Sequence, residues 1–291
     1  MTALWRQQPV GIVGLGLIGG SLGLDLLSRG ATVRALVHRP ETAERARQRQ
    51  LASTISTDPS VLQDCAVVVL ALPLDRLLQP GPELLSALPP QAVITDVGSV
   101  KQPVQDCWQP LLGGRFVPGH PMAGTAQAGV EAGQTGLFHN RPWVATPSEA
   151  TDPASLSAVR DLAEAVGARW SCCPAEAHDR AVALISHLPV LVSAALLQTA
   201  DRCSEGESSL ATLVRTLASS GFADTSRVGG GNPELGTLMA RCNRAALLPA
   251  LHAYRDSLQQ LISLVEEQRW PELQGQLSDC QALRPDFLSS P

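Results

Sequence analysis

From Pro9 onward the chain alternates between two hydrophobic periods. Val10–Val13 is a short apolar run, and the stretch from Leu17 to Arg29 reads as a helix that Gly30 stops. Ala31–Val37 is strand-like, Glu41 to Gln50 is a polar helix, and Cys65–Leu72 is wholly apolar. There follow a helical segment near Asp75–Ala87, a strand at Ala92–Asp96, a helix from about Val100 to Leu112 and a strand at Arg115–Pro118. Continuous apolar strands alternating with helices are buried on both faces, which means a parallel sheet. Right-handed crossovers then make it a doubly wound α/β fold.

The pattern changes after Cys173. Helical segments follow one another at Ala175–Asp201, Glu207–Ala218, Leu235–Gln268 and Trp270–Leu283, with a tail from Pro285 expected to fray. This divides the chain into an α/β domain over residues 1–173 and an all-α domain over 174–291, the boundary falling near 172–176. The stretch His120–Pro147 is rich in Gly and Pro and is expected to be a long irregular loop beside the strand ends. Such loops carry function more often than packing.

Composition narrows the classes. The 291 residues suit two domains, 44% hydrophobic residues fill sizeable cores, and 17% charged residues are too few for a disordered chain. A net charge of −5 argues against binding nucleic acid by phosphate neutralisation. Lys101 is the single lysine, so any catalytic lysine must be that one. The seven cysteines (65, 107, 172, 173, 203, 242 and 280) are scattered and odd in number, as expected of reduced thiols in the cytoplasm, and without a C-x-x-C they frame no metal site. The first nine residues lack the apolar core of a signal peptide. The longest apolar run, Ala181 to Leu197, is interrupted by Ser186, His187, Pro189 and Ser193, so no membrane span is expected.

Gly14-Leu15-Gly16-Leu17-Ile18-Gly19 is a G-x-G-x-x-G motif between an apolar strand and a helix, the context in which it binds a dinucleotide of the Rossmann type. Gly14 permits the tight turn, Gly16 lets a pyrophosphate approach the backbone, and Gly19 lets helix pack on strand. The N–H groups at Leu17 and Ile18 open the helix and face the anion. An NAD enzyme places a carboxylate about 20 residues further on, where it holds the ribose 2′-hydroxyl. Here the second strand ends in His38-Arg39-Pro40. A guanidinium pairs with a 2′-phosphate, so the cofactor predicted is NADP, with Arg39 as the main contact and His38 beside the adenine. Leu72-Pro73 and Gly98-Ser99 follow the third and fourth strands at the ligand-binding edge of the sheet. The residues alone reach an NADP-dependent oxidoreductase and stop there.

Further motifs carry a resemblance. Asp96-Val97-Gly98-Ser99-Val100-Lys101, Gly119-His120-Pro121-Met122-Ala123-Gly124, Ser186-His187-Leu188-Pro189, Gly221-Phe222-Ala223-Asp224-Thr225-Ser226-Arg227 and Gly231-Asn232-Pro233 fall in one order along the chain. In that order they resemble the signatures of the prephenate/arogenate dehydrogenase family, and the wording around Arg227 is similar to its cyanobacterial, arogenate-using branch. The resemblance implies oxidative decarboxylation of a cyclohexadienol to a phenol in tyrosine synthesis, with arogenate or prephenate as substrate. Hydride leaves the ring carbon bearing the 4-hydroxyl, the ring carboxylate departs as CO2, and a general base takes one proton.

The family match assigns the base to His120, beside the nicotinamide. Ser99 is expected to bond the substrate hydroxyl or orient His120 while also capping the next helix. His187, where Pro189 should kink an apolar helix, is expected to contact the ring carboxylate or hydroxyl. Arg227 is expected to grip a substrate carboxylate, with Asp224 either pairing with Arg227 or holding an ammonium, and Thr125 joins the substrate-binding set. His139, His178 and His252 match no motif and are expected to be packing or surface residues.

The family commonly has a bulky aromatic where this chain has Gly236, which implies a more open pocket entrance. No chorismate mutase or regulatory segment is expected, so inhibition by product should compete with substrate. The apolar surface from Leu184 to Leu197, Leu210 to Leu217 and Leu247 to Leu264 predicts a two-fold dimer built from these helices. Two other readings stand beside it: a β-hydroxyacid-dehydrogenase-like or imine-reducing enzyme, disfavoured by the absence of a lysine near His187, and a catalytically silent NADP-binding regulator, which needs neither His120 nor Arg227.

Overall fold

The structure, a computed structural model, describes residues 3–125, 127–202 and 208–288. After a short helix, Leu4–Gln7 (α1), the chain runs through Val10–Val13 (β1), Leu17–Ser28 (α2), Val33–Leu36 (β2), Pro40–Gln48 (α3), Thr54–Ser56 (β3), Val67–Leu70 (β4), Leu74–Leu77 (α4), Pro82–Ala87 (α5), Val93–Asp96 (β5), Gln102–Leu112 (α6) and Phe116–Val117 (β6). The six strands form one sheet in the order β3-β2-β1-β4-β5-β6, every neighbouring pair parallel. The order reverses beside β1, and in such sheets the crevice at that switch point holds the ligand.

Both faces of the sheet are covered, as the unbroken apolar strands require. Ile12 and Val69 pack with Leu22 and Leu26 on one side. Val13, Val68, Leu70 and Ile94 pack with Val104, Trp108 and Phe116 on the other. Each fully buried leucine of this kind contributes about 1.5–3 kcal/mol by leaving water.

Three short pieces depart from the expected pattern. The segment 75–87 is two helices, because Pro80 and Gly81 separate α4 from α5 and Pro82 starts the latter. The strand β3 has only three residues and one buried position, too little for an apolar run to show. The stretch expected as irregular loop contains Gly119–Pro121 (β7) and Pro142–Ala145 (β8), which pair antiparallel and, with Arg169–Cys172 (β9), form a second sheet. A three-residue strand made of Gly, His and Pro carries no hydrophobic period. Between β8 and β9 runs Pro153–Ala165 (α7), whose first N–H groups Asp152 accepts at Ala154 and Ser155.

The second half is helical among its described residues: Ala175–Val182 (α8), Leu188–Arg202 (α9), Ser208–Leu217 (α10), Ser220–Ser226 (α11), Pro233–Cys242 (α12), Arg244–Glu266 (α13) and Trp270–Leu288 (α14). Glu207 and Cys203 lie outside the described residues. Between α8 and α9 the helix widens into a π turn at Ala183–His187, in place of the expected kink before Pro189. The single helix expected over 235–268 is two, because Asn243 interrupts it. The tail is helical as far as Leu288, with Pro285 inside α14 rather than at a frayed end. The chain divides into two compact units, one reaching Arg244 and the other starting at Ala245.

The run from Ala175 to Arg202 is long and apolar enough to cross a membrane by length and composition, with a mean hydropathy of 1.9 over its most apolar window, contrary to expectation. The interrupting polar residues are too few to lower that average. Yet this helix buries His178, Asp179 and His187, and the Asp179 carboxylate accepts backbone N–H groups of Lys101 and Gln102.

Gly23 shows how tightly α2 sits on the segment before β3. A Cβ there would lie 1.9 Å from the carbonyl oxygen of Leu51. In a free helix Gly→Ala gains about 1 kcal/mol, but here backbone would have to move. Gly23→Ala is expected to destabilise the protein by about 1–3 kcal/mol net, read as a lower urea midpoint with the slope unchanged.

Candidate active site

The glycine loop has the geometry a dinucleotide needs. Gly14 has φ +94°, a left-handed conformation, and a Cβ there would meet the Ala71 carbonyl at 2.4 Å. A Cβ on Gly19 would lie 2.0 Å from the Gly14 carbonyl, whereas one on Gly16 would meet nothing within 4 Å. Gly14 and Gly19 are therefore fixed by close packing and Gly16 faces open space. Gly16 caps α2 without a side chain, leaving the N–H groups at Leu17 and Ile18 to a ligand anion. At the end of β2, His38 and Arg39 are exposed, and Arg39 has no side-chain partner among the described residues. Leu72 and Pro73 follow β4 at the same edge of the sheet, Pro73 as the residue before α4. These groups fit a nicotinamide dinucleotide.

Beyond β5 the chain makes a buried clamp. The carboxylate of Asp96 accepts the Gly98 N–H at 2.7 Å and the Gly119 N–H at 3.1 Å, and it forms an ion pair with the Lys101 ammonium. The same ammonium donates to the Gly119 carbonyl at 2.6 Å. Both side chains are fully buried. Burial pulls the Lys101 pKa below its usual range, and the Asp96 carboxylate opposes that. A buried ion pair adds little net stability, but losing either partner leaves an isolated charge at a cost of about 3–5 kcal/mol. The clamp fixes the backbone on both sides of Ser99 and immediately before His120.

Ser99 is not the helix cap expected of it. The helix α6 begins at Gln102, and its free N–H groups at Lys101 and Gln102 are accepted by the two oxygens of Asp179 at 2.7 and 2.8 Å. The Ser99 hydroxyl is instead buried without a hydrogen-bond partner among the described residues.

His120 lies on β7, buried, opposite Val144. Its Nδ1 is 2.9 Å from Nε2 of His178, whose own Nδ1 is 2.8 Å from Oδ1 of Asp179. Burial, then the electrostatic influence of His178, Lys101 and His187, holds the His120 pKa well below 6.5. His187, in the π turn, is 2% exposed, so packing alone does not explain an imidazole there. The Asn243 amide donates to the Asp179 carbonyl at 2.7 Å and contacts His187 Nδ1 at 3.2 Å. With Nδ1 accepting, the neutral ring carries its proton on Nε2, and that nitrogen is buried with no partner. Burial lowers the His187 pKa to about 4, against the pull of Asp179.

The structure thus joins His120 to His187 through His178, Asp179 and Asn243. His178 is a buried member of this cluster, not the surface or packing residue expected. Asp179 and Asn243 were missed as well; the visible signal was an adjacent His-Asp pair just before an apolar helical run. The remaining substrate candidates are not joined to the cluster by any hydrogen bond or ion pair among the described residues. Thr125 is exposed and its hydroxyl accepts the Gln127 N–H at 3.2 Å. Asp224 and Arg227 are exposed on and after α11, and no ion pair joins them among the described residues. The helix α11 is held to α9 by the Ser193 hydroxyl, which donates to the Thr225 carbonyl at 2.6 Å. Gly236 on α12 leaves room for a side chain, since a Cβ would stand 3.5 Å from Val190.

Residues 22–172 match the prephenate dehydrogenase nucleotide-binding domain, and residues 174–279 match the prephenate dehydrogenase dimerization domain. The chain belongs to the prephenate dehydrogenase family. It is therefore an oxidoreductase of the prephenate, arogenate and cyclohexadienyl dehydrogenase group, which serves tyrosine biosynthesis. Synechocystis arogenate dehydrogenase is 44% identical in its crystal structure, with a TM-score of 0.79 over 96% of this chain and 99% of that one. The prephenate dehydrogenase of A. aeolicus, solved with hydroxyphenyl propionate and NAD+, is 28% identical with a TM-score of 0.88 over 97% and 98% of the two chains. The cyclohexadienyl dehydrogenase of Zymomonas mobilis is 29% identical over 281 residues, 95% of each.

The depressed pKa of His187 has a measurable sign. Between the unfolded value of 6.5 and the folded value of about 4, the unfolded chain binds the extra proton. Unfolding free energy should therefore fall as pH drops through that window. Urea titrations at a series of pH values should show His187→Gln with a shallower fall than the parent; equal slopes would contradict the buried, neutral imidazole.

Proposed function

We propose that this prephenate dehydrogenase family member converts arogenate to tyrosine and CO2 with reduction of NADP. The observation that carries the substrate assignment is the 44% identity, along nearly the whole of both chains, to an arogenate dehydrogenase. The cofactor assignment rests on Arg39, an exposed guanidinium without a side-chain partner among the described residues, where an NAD site has a carboxylate. Gly14, Gly16, the Leu17 and Ile18 N–H groups and Arg39 would hold NADP, which would supply the hydride acceptor for the ring carbon bearing the hydroxyl.

His120 is the base in this reading. Its low pKa keeps it neutral near pH 7, so it can take the hydroxyl proton as the C–O bond gains double-bond character. The pair of electrons from the breaking C–CO2 bond then enters the ring, which becomes aromatic, and the proton returns to the phenolate oxygen. Ring carboxylate and oxidised nicotinamide thus become phenol, CO2 and reduced nicotinamide, with charge balanced. The unpartnered Ser99 hydroxyl and His187 Nε2–H are donors for the substrate hydroxyl and the ring carboxylate. Arg227 takes the side-chain carboxylate, and Thr125 and Asp224 complete the polar contacts, Asp224 being the group suited to an ammonium. The prephenate alternative, a keto acid in place of the amino acid, uses the same site and lacks only that ammonium.

The reading includes a homodimer through the helical half. The helices present Leu184, Ile185, Leu213 and Leu217 to solvent, and Leu217 lines an apolar hollow with Val214, Ala218, Gly221 and Phe222. A cytoplasmic setting suits its cysteines, of which the six described are free thiols.

NADPH formation followed by absorbance should be faster with arogenate than with prephenate, and faster with NADP than with NAD. Arg39→Ala should raise the KM for NADP by about tenfold or more, the loss of a charge-assisted phosphate contact, while leaving the KM for NAD nearly unchanged. Equal efficiency with both dinucleotides would remove the NADP assignment. Light scattering at micromolar concentration should give twice the monomer mass, and a monomer there would exclude the dimer.

A further inference from the structure

The cluster behind His120 holds two groups that the proposed reaction does not itself employ. His178 and Asp179 are 3% and 4% exposed. They form an unbroken line of hydrogen bonds, His120 Nδ1 to His178 Nε2 at 2.9 Å and His178 Nδ1 to Asp179 Oδ1 at 2.8 Å. Burying an imidazole against an imidazole is unfavourable unless each proton has one place to go.

The end of the line fixes every proton in it. The Asp179 oxygens already accept the Lys101 and Gln102 N–H groups, bonds made by the ionised carboxylate. An ionised carboxylate only accepts, so His178 must carry its proton on Nδ1. Its Nε2 is then an acceptor and must receive the Nδ1–H of His120. That leaves the His120 lone pair on Nε2, the nitrogen without a partner among the described residues. We propose that His178 and Asp179 form a positioning relay that locks His120 in the Nδ1–H tautomer and steadies the imidazolium formed when it takes the substrate proton. This rests on His120 being the base.

The relay also balances the charges around His120. Burial, His178 itself, Lys101 from the loop after β5 and His187 from the π turn all disfavour a positive His120, and Asp96 pairs with Lys101. The Asp179 carboxylate lies on the far side of His178, so it can offset the developing charge without accepting the proton. The substrate proton stops on His120 Nε2, and the two bonds of the relay shift only in strength.

The test uses the full-length enzyme with NADP and arogenate. His178→Phe keeps a planar ring but removes the acceptor, and should lower kcat by about 10²-fold or more with KM values within about threefold. His178→Gln restores an acceptor oxygen and should recover part of kcat. Long-range 15N spectra of histidine-labelled enzyme should show His120 and His178 protonated on Nδ1 and bare on Nε2. In Asp179→Asn, where the amide can donate, that pattern should be lost. Turnover of His178→Phe within about threefold of the parent, or a proton on Nε2 of resting His120, would overturn the relay. Should Asp179→Asn or His178→Phe fail to fold, the parent's spectra decide alone. His120→Asn separates the two ideas: if it keeps turnover, the base assignment fails, whereas a dead His120→Asn beside an active His178→Phe sinks only the relay.

Discussion

A carboxylate removed from water must find donors for its lone pairs, and the structure around the site is arranged by how Asp179 finds them. Its oxygens take the backbone N–H groups of Lys101 and Gln102 and face the His178 ring. Those N–H groups are the free end of α6, the helix that follows β5 of the nucleotide-binding sheet. One side chain of the helical half thus serves as the missing cap of an α/β helix and as the anchor of an imidazole pair. Capping usually falls to a Ser, Thr, Asp or Asn just before the helix. Here it comes from 78 residues further along the chain, so the α6 end and α8 are held in register.

A second buried pair holds the other side of the same site. Asp96 ends β5 and ties itself to Gly98, Gly119 and Lys101, so the loop that carries Ser99 and the strand that carries His120 move as one body. Neither pair is expected to add much to stability, because desolvation nearly cancels attraction. Their effect is positional. Between them His120 has its backbone pinned through Gly119 and its ring pinned through His178. An enzyme whose chemistry is driven by aromatisation needs little more from the protein than such placement.

What was legible in the sequence was whatever depends on period or on a fixed local motif. The apolar strands, the parallel sheet and the glycine loop follow from residues adjacent along the chain, and Gly14 and Gly19 have no room for a side chain while Gly16 faces open space, as their motif implies. His120 and His187 could be named as candidates because each stands in a contiguous motif. His178, Asp179 and Asn243 could not, because their partners are fixed by the fold. His178 became a site residue only because His120, 58 positions away, faces it. Ser99 was misread for the opposite reason: local preference favours a serine cap, and a long-range carboxylate took the place. The second sheet escaped because β7 is built from Gly, His and Pro, which carry no period at all.

The division between buried and exposed groups separates chemistry from recognition. The buried set, His120, His178, Asp179, His187, Asn243, Asp96 and Lys101, has its hydrogen bonds fixed by one another, and a substitution there breaks several contacts at once. The groups proposed to read the ligands, Arg39 on the 2′-phosphate and Arg227 with Asp224 on the substrate side chain, are exposed and free of each other. An exposed guanidinium can be exchanged without disturbing a core. Preference for one dinucleotide or one side chain can therefore change in such a family while the hydride and proton chemistry stays fixed. The Ser99 hydroxyl and His187 Nε2 are buried without a hydrogen-bond partner among the described residues. A buried polar atom left so costs about 1–3 kcal/mol, which a bound polar ligand group can relieve.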